Sequence, residues 1–218
     1  MMRLISAIIV STLLMVASLK AQERQIEMEL ISNPSGPLTK NWQFVVDTSP
    51  STRFVFPKLR EAFIRLIRQP ADEFNFSVIT FNLQNMEATK PWVRSSAEEF
   101  QAADQFVLTH YGAASYGIKA LEMALRQNKD ELTVILITDG GFTEVCRNGH
   151  NFSIIDDAID RSQQWRVDNG LAMAIITTIG LENPSYHIGN MPPEKMRQDY
   201  LKGLGEKYHG GYAIVRNM

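Results

Sequence analysis

The sequence predicts an α/β fold: a doubly wound, mostly parallel central sheet flanked by helices on both faces, with one short antiparallel edge strand. Three observations point there. Short apolar runs alternate with amphipathic, helix-length segments from residue 42 to residue 215. The most apolar runs, WQFVV (42–46) and LTVILIT (132–138), lack the polar alternation of a one-sided sheet, so both their faces should be covered. Each of these two strands runs directly into an aspartate, and the carboxyl ends of parallel strands are where such sheets present chemistry.

The elements follow in order. WQFVV is the first strand. PKLREAFIRLIR (57–68) is a helix, with Pro57 in its first turn and Leu59, Ala62, Phe63, Leu66 and Ile67 on one face. FNFSVITF (74–81) is the second strand, and MEATKPWV, with its proline, is an edge strand. SAEEFQAADQFV (96–107) opens with a capping box, Ser96 and Glu99, and places Phe100, Ala103 and Val107 on one stripe. After the loop THYGAAS comes a helix over 116–127, with Ile118, Leu121 and Leu125 inward. LTVILIT is the next strand. A helix over 153–170 closes at Asn169-Gly170. LAMAIITTIG (171–180) is a strand, 192–210 a helix with prolines at its start and glycine at its end, and GYAIV (211–215) the last strand.

Ahead of these elements, residues 1–21 carry one arginine, an apolar stretch from Leu4 to Leu19, and small residues ending at Ala21. This is the layout of a secretory signal peptide, too short for a membrane span, and predicts export. Residues 22–39 are a turn-rich leader and residues 40–216 form one domain. The 218 residues carry 44% apolar side chains and a net charge of −2, without a Lys/Arg run. A sizeable core is therefore expected, and nucleic acid or an anionic membrane surface is not suggested as a partner. Cys146, the only cysteine, allows no internal disulfide. His110, His150, His187 and His209 lack paired ligand spacing, and Trp42, Trp92 and Trp165 read as packing residues. GLGEKYHG lies at a helix end before a strand, the wrong order for a phosphate loop.

The chemistry-bearing residues sit at the expected rim. Asp47, Ser49 and Ser51 follow the first strand, Asp139 follows LTVILIT, and Ser115 precedes the helix over 116–127. Two carboxylates and three hydroxyls form an all-oxygen set suited to a hard divalent cation, Mg²⁺ above all, with Mn²⁺ or Ca²⁺ as alternatives. A cation would also remove the repulsion between carboxylates ending neighbouring strands. Pro50 restricts the loop between the serines. The bland alternative is that Asp47 caps a turn and the serines satisfy loop amides.

Taken together, DTSPS (47–51), YGAASYGIKALEMAL and LITDGG resemble the three ordered elements of the metal-ion-dependent adhesion site of the von Willebrand factor A (VWA) domain family, a Rossmann-like fold. GLGEKYHGGYAIV resembles that family's last helix-to-strand passage, and the resemblance covers about residues 40–216. It implies a metal bound directly by Ser49, Ser51 and Ser115, with Asp47 and Asp139 direct or through water. It also implies a partner protein whose Asp or Glu completes the coordination. If the fold is right, Arg53, His110, Tyr111 and Phe142 lie on loops around the metal and form a partner-selecting rim, or else pack those loops. Serine stands at 115 where the family usually has threonine, TRFVF after Ser51 is longer than usual, and the final helix found in many members, with its allosteric coupling, is not expected here.

Three functions follow as expectations. The first is an exported, metal-dependent protein-binding module without catalysis. The second is a Mg²⁺-dependent phosphohydrolase resembling the haloacid dehalogenase family, with Asp47 as nucleophile; that family needs an acid two residues on, where this chain has Ser49. The third is a structural VWA domain with a vestigial site.

Overall fold

The computed structural model describes residues 39–52, 74–82, 87–182 and 191–216. The proposed signal peptide and most of the leader, the helix over 57–68 and Arg53 lie outside them. The strands are β1 (Asn41–Asp47), β2 (Asn75–Phe81), β3 (Glu87–Arg94), β4 (Leu132–Thr138), β5 (Ile175–Glu182) and β6 (His209–Arg216). The helices are α1 (Ala97–Thr109), α2 (Ile118–Leu125), α3 (Thr143–Arg147), α4 (Ser153–Asp168) and α5 (Glu194–Lys207). The sheet order is β3-β2-β1-β4-β5-β6, parallel throughout except for β3, which runs antiparallel to β2 at one edge. This is the predicted α/β class. Strand order reverses between β1 and β4, so the two strands that end at aspartates are direct neighbours.

Period-two alternation explains why β1 is apolar at nearly every position. Trp42, Phe44 and Val46 enter one core with Phe76, Val78 and the α1 residues Phe100, Ala103 and Val107. Val45 enters the other, with Leu121 and Leu125 of α2, Ile155 and Ile159 of α4, and Leu201 and Leu204 of α5. Helices thus cover both faces.

Three expectations change in detail, and the proline-bearing edge strand is found as predicted. The predicted capping box at the start of α1 is half made: Ser96 accepts from the Glu99 amide at 3.2 Å, but the Glu99 carboxylate pairs with Lys90. Pro91 is accommodated in β3 because the register shifts there, with Phe76 opposite Val93 and Val78 opposite Lys90, so that two β3 residues face one on β2. β5 begins at Ile175, not at residue 171, because α4 occupies the backbone of the preceding segment. Gln163 donates to the Ala174 carbonyl at 2.8 Å and accepts from its amide at 2.9 Å, while Arg166 donates to the Ala172 carbonyl. Finally, α5 stops at Lys207, ahead of Gly210 and Gly211. His209 takes φ of +60° and leads into β6, where a side chain on Gly210 would meet the Ile176 carbonyl oxygen at 1.9 Å. Glycine at 210 lets β6 close on β5.

Among the described residues, no helix is long and apolar enough to cross a membrane.

Candidate metal centre

β1 carries Asp47 to the switch point and buries it completely. The chain then turns through Thr48–Thr52, closed by the Thr52 amide on the Ser49 carbonyl and by the Thr52 hydroxyl on the Asp47 and Ser49 carbonyls. This tight turn brings Ser49 Oγ and Ser51 Oγ within 3.0 Å of each other. The Ser49 amide donates to Asp47 Oδ1 at 2.9 Å. Asp47 Oδ2 accepts from Ser115 Oγ at 3.0 Å and from Thr138 Oγ1 at 2.7 Å. Four of the five predicted ligands, Asp47, Ser49, Ser51 and Ser115, are therefore linked in one hydrogen-bonded group, all nearly or wholly buried.

Asp139 leaves β4 on the neighbouring strand and is 1% exposed. Its Oδ1 accepts from the Gly141 amide at 2.8 Å. Its Oδ2 has no hydrogen bond, and faces the Arg197 guanidinium at 3.3 Å. Asp47 responds to this setting. Burial, and then the negative charge of Asp139, push its carboxyl from the ordinary 3.8 up to about 7, against the lowering effect of its hydrogen-bond donors. A carboxyl this costly to ionise, beside a second buried carboxylate with an unbonded oxygen, is a setting that a bound cation would relieve.

The donor chemistry fits a hard cation. Among the described residues, no group of three or more His, Cys, Asp or Glu side chains is arranged to hold a metal ion, so the site owes its character to hydroxyls and two carboxylates, not to the soft or nitrogen donors of a zinc site. Ser49, Ser51, Ser115, Asp47 and Asp139 are the residues that would hold the ion.

The predicted rim is placed unevenly. His110 follows α1, its ring tilted against that of Phe106 with Nδ1 2.6 Å from the Phe106 carbonyl, and Tyr111 is half-buried against the α1 core. Phe142 packs beneath the loops, the second of its two expected roles, and its place in the rim is corrected. Its ring is fully buried, stacked on Phe81 at 6.1 Å, and fills the space where a side chain on Gly117 would go. It belongs to the floor beneath the site, where an apolar ring after DGG is shielded by α3.

Several supporting residues escaped the sequence reading. Thr138, the last residue of β4, holds both Asp47 Oδ2 and the Gly140 amide. Asn82, at the end of β2, donates to Thr48 Oγ1 at 2.9 Å and to the His110 carbonyl at 2.8 Å. The short helix α3 clamps the Ser115 loop from below: Thr143 and Ser115 exchange two hydrogen bonds, and Glu144 Oε1 accepts from the Ile118 amide at 3.1 Å. Gly117 gives α2 no capping side chain, so Glu144 serves that end from another element. Glu144→Ala is expected to cost about 1–2 kcal/mol in urea unfolding and to weaken cation binding by loosening the Ser115 loop, read by Mn²⁺ titration.

No protein-family profile matches the sequence, and no curated protein matches it. Among solved structures, the chain is similar to the ArnB paralog VWA2 from Sulfolobus acidocaldarius, at 16% identity and a TM-score of 0.47, covering 83% of this chain and 42% of that one. It is also similar to the manganese-loaded TRAP protein of Plasmodium vivax, at 15% identity and a TM-score of 0.47, covering 82% of this chain and 69% of that one. The chain thus spans less than half the length of the first of these proteins.

Proposed function

We propose that this chain is an exported VWA-type module that binds a partner protein through a divalent cation, with no catalytic role. The observation that carries this reading is the convergence at the switch point. Asp47, Ser49 and Ser51 of one turn and Ser115, 68 residues after Asp47, form one hydrogen-bonded group, and Asp139 stands at the end of the adjoining strand. The order of these motifs along the chain, together with the strand order, supports the family assignment.

In this reading, Ser49, Ser51 and Ser115 supply the hydroxyl ligands, and Asp47 and Asp139 supply charge. The turn at 47–52 and the α3 clamp hold those oxygens before the ion arrives. A bound Mg²⁺ or Mn²⁺ would offer a coordination position to an Asp or Glu of the partner. The phosphohydrolase reading is weaker, because position 49 contributes a hydroxyl and an amide where a proton-donating acid is required.

Isothermal titration with Mn²⁺ and Mg²⁺ tests the proposal. Wild type should bind one ion, and Asp47→Ala should lose binding by at least about a hundredfold, given two lost carboxylate oxygens at the centre of the group. Equal affinities would remove the reading. Pull-down of partners with and without chelator separates a working site from a vestigial one, since partners retained in chelator bind independently of the ion.

A further inference from the structure

Arg197 stands out among the charged groups outside the predicted ligand set. It is 1% exposed, in the first turn of α5, and its guanidinium lies against Asp139. One terminal nitrogen, Nη1, donates to the Asp139 carbonyl at 2.8 Å and sits 3.3 Å from Asp139 Oδ2. The contact has no room to spare. A side chain on Gly140, which has φ of +76°, would meet Arg197 Cβ at 3.0 Å. Among the described residues, Asp47 receives no such charge: its hydrogen-bond partners are the Ser49 amide and the Ser115 and Thr138 hydroxyls, all neutral.

We infer that Arg197 is the charge-setting residue of the metal centre, acting through Asp139; this rests on the metal-binding reading above. Among the described residues, two buried carboxylates and one guanidinium leave the site one net negative charge. A divalent cation turns that into one net positive charge, which a single incoming carboxylate neutralises. Without Arg197, two carboxylates would neutralise the ion by themselves and hold it tighter, with no positive charge left over. Arg197 therefore trades cation affinity for attraction of an acidic group. It also makes α5 part of the site, because the guanidinium reports the position of Asp139 to that helix.

The test uses the full mature chain, Mn²⁺ as probe, and two variants. Arg197→Gln keeps an amide donor for the Asp139 carbonyl and removes the charge. Arg197→Lys keeps the charge. Arg197→Gln is expected to bind Mn²⁺ at least about tenfold tighter than wild type, and Arg197→Lys within about threefold of it, since Lys retains the positive charge beside Asp139 and Gln does not. A role confined to packing would not produce tighter binding in the less stable variant. If Arg197→Gln unfolds in chelator, Mn²⁺ should restore its circular dichroism, the ion replacing the missing charge; failure to restore it overturns the proposal. Equal or weaker binding by folded Arg197→Gln, with wild type binding, overturns the proposal alone. Absence of Mn²⁺ binding in all three proteins overturns the metal reading and this proposal together.

Discussion

Asp47→Asn is expected to abolish Mn²⁺ binding and, in chelator at pH 8, to raise the melting temperature. A substitution at a fully buried site usually destabilises, so the sign is the informative part. Burial, and then the negative charge of Asp139, disfavour ionised Asp47, which is why its carboxyl is pushed up to about 7. Asparagine removes that charge and keeps the shape. Its oxygen can still accept from the Ser49 amide, and its NH₂ group faces the Ser115 and Thr138 hydroxyls, which can turn to accept. The pH dependence follows with its sign. A carboxyl raised on folding contributes stability that is complete below its unfolded value and is lost as pH rises. Chelated wild type should therefore lose up to about 1.4 kcal/mol per pH unit between about pH 4 and pH 7. Asp47→Asn should be flatter over that window. Urea unfolding at several pH values, with and without Mn²⁺, reads both effects, and a variant as pH-dependent as wild type would show that another group titrates there.

The second large effect is expected at Arg166, far from the metal centre. This fully buried guanidinium, near the end of α4, donates to four carbonyls: Ala172 at 2.8 Å, Leu125 and Gln127 at 3.0 Å, and Lys129 at 2.7 Å. Three of these oxygens belong to the end of α2 and the turn after it, where helix carbonyls have no partners of their own. Positive charge there also suits the helix dipole. Arg166→Ala leaves these carbonyls buried and unpaired, and should cost roughly 3–5 kcal/mol in urea unfolding. Arg166→Lys should recover less than half of that loss, because a compact ammonium cannot span the fork. A loss below about 1 kcal/mol would mean that water replaces the guanidinium.

These two arginines mark the boundary of what the sequence could say. The sheet was legible because β1 and β4 are apolar on both faces, a local property, and α1 announced itself through Ser96. Asp47, Ser49, Ser51, Ser115 and Asp139 could be singled out because strand ends and loop positions follow from that pattern. Arg166 and Arg197 gave no such signal. A long cationic side chain in an amphipathic helix normally marks the solvent face, and only the tertiary arrangement turns these two inward. α3 has five residues, too few for helical periodicity to emerge, so its clamp on Ser115 was invisible. With it went the reason Phe142 is covered, not displayed. Thr138 looked like one more β-branched strand residue, and its hydroxyl matters because β1 and β4 are adjacent.

The amide of Asn82 has a consequence for how fast and how tightly a ligand can be taken up. One side chain bonds both Thr48, in the turn that carries the serines, and the carbonyl of His110, beside the loop that carries Ser115. The backbone adds a second link, from the Gly112 amide to the Thr48 carbonyl at 3.2 Å. Two loops that would otherwise wander separately share one set of coordinates. Their conformational entropy is therefore surrendered when the chain folds, and little of it remains to oppose the arrival of a ligand.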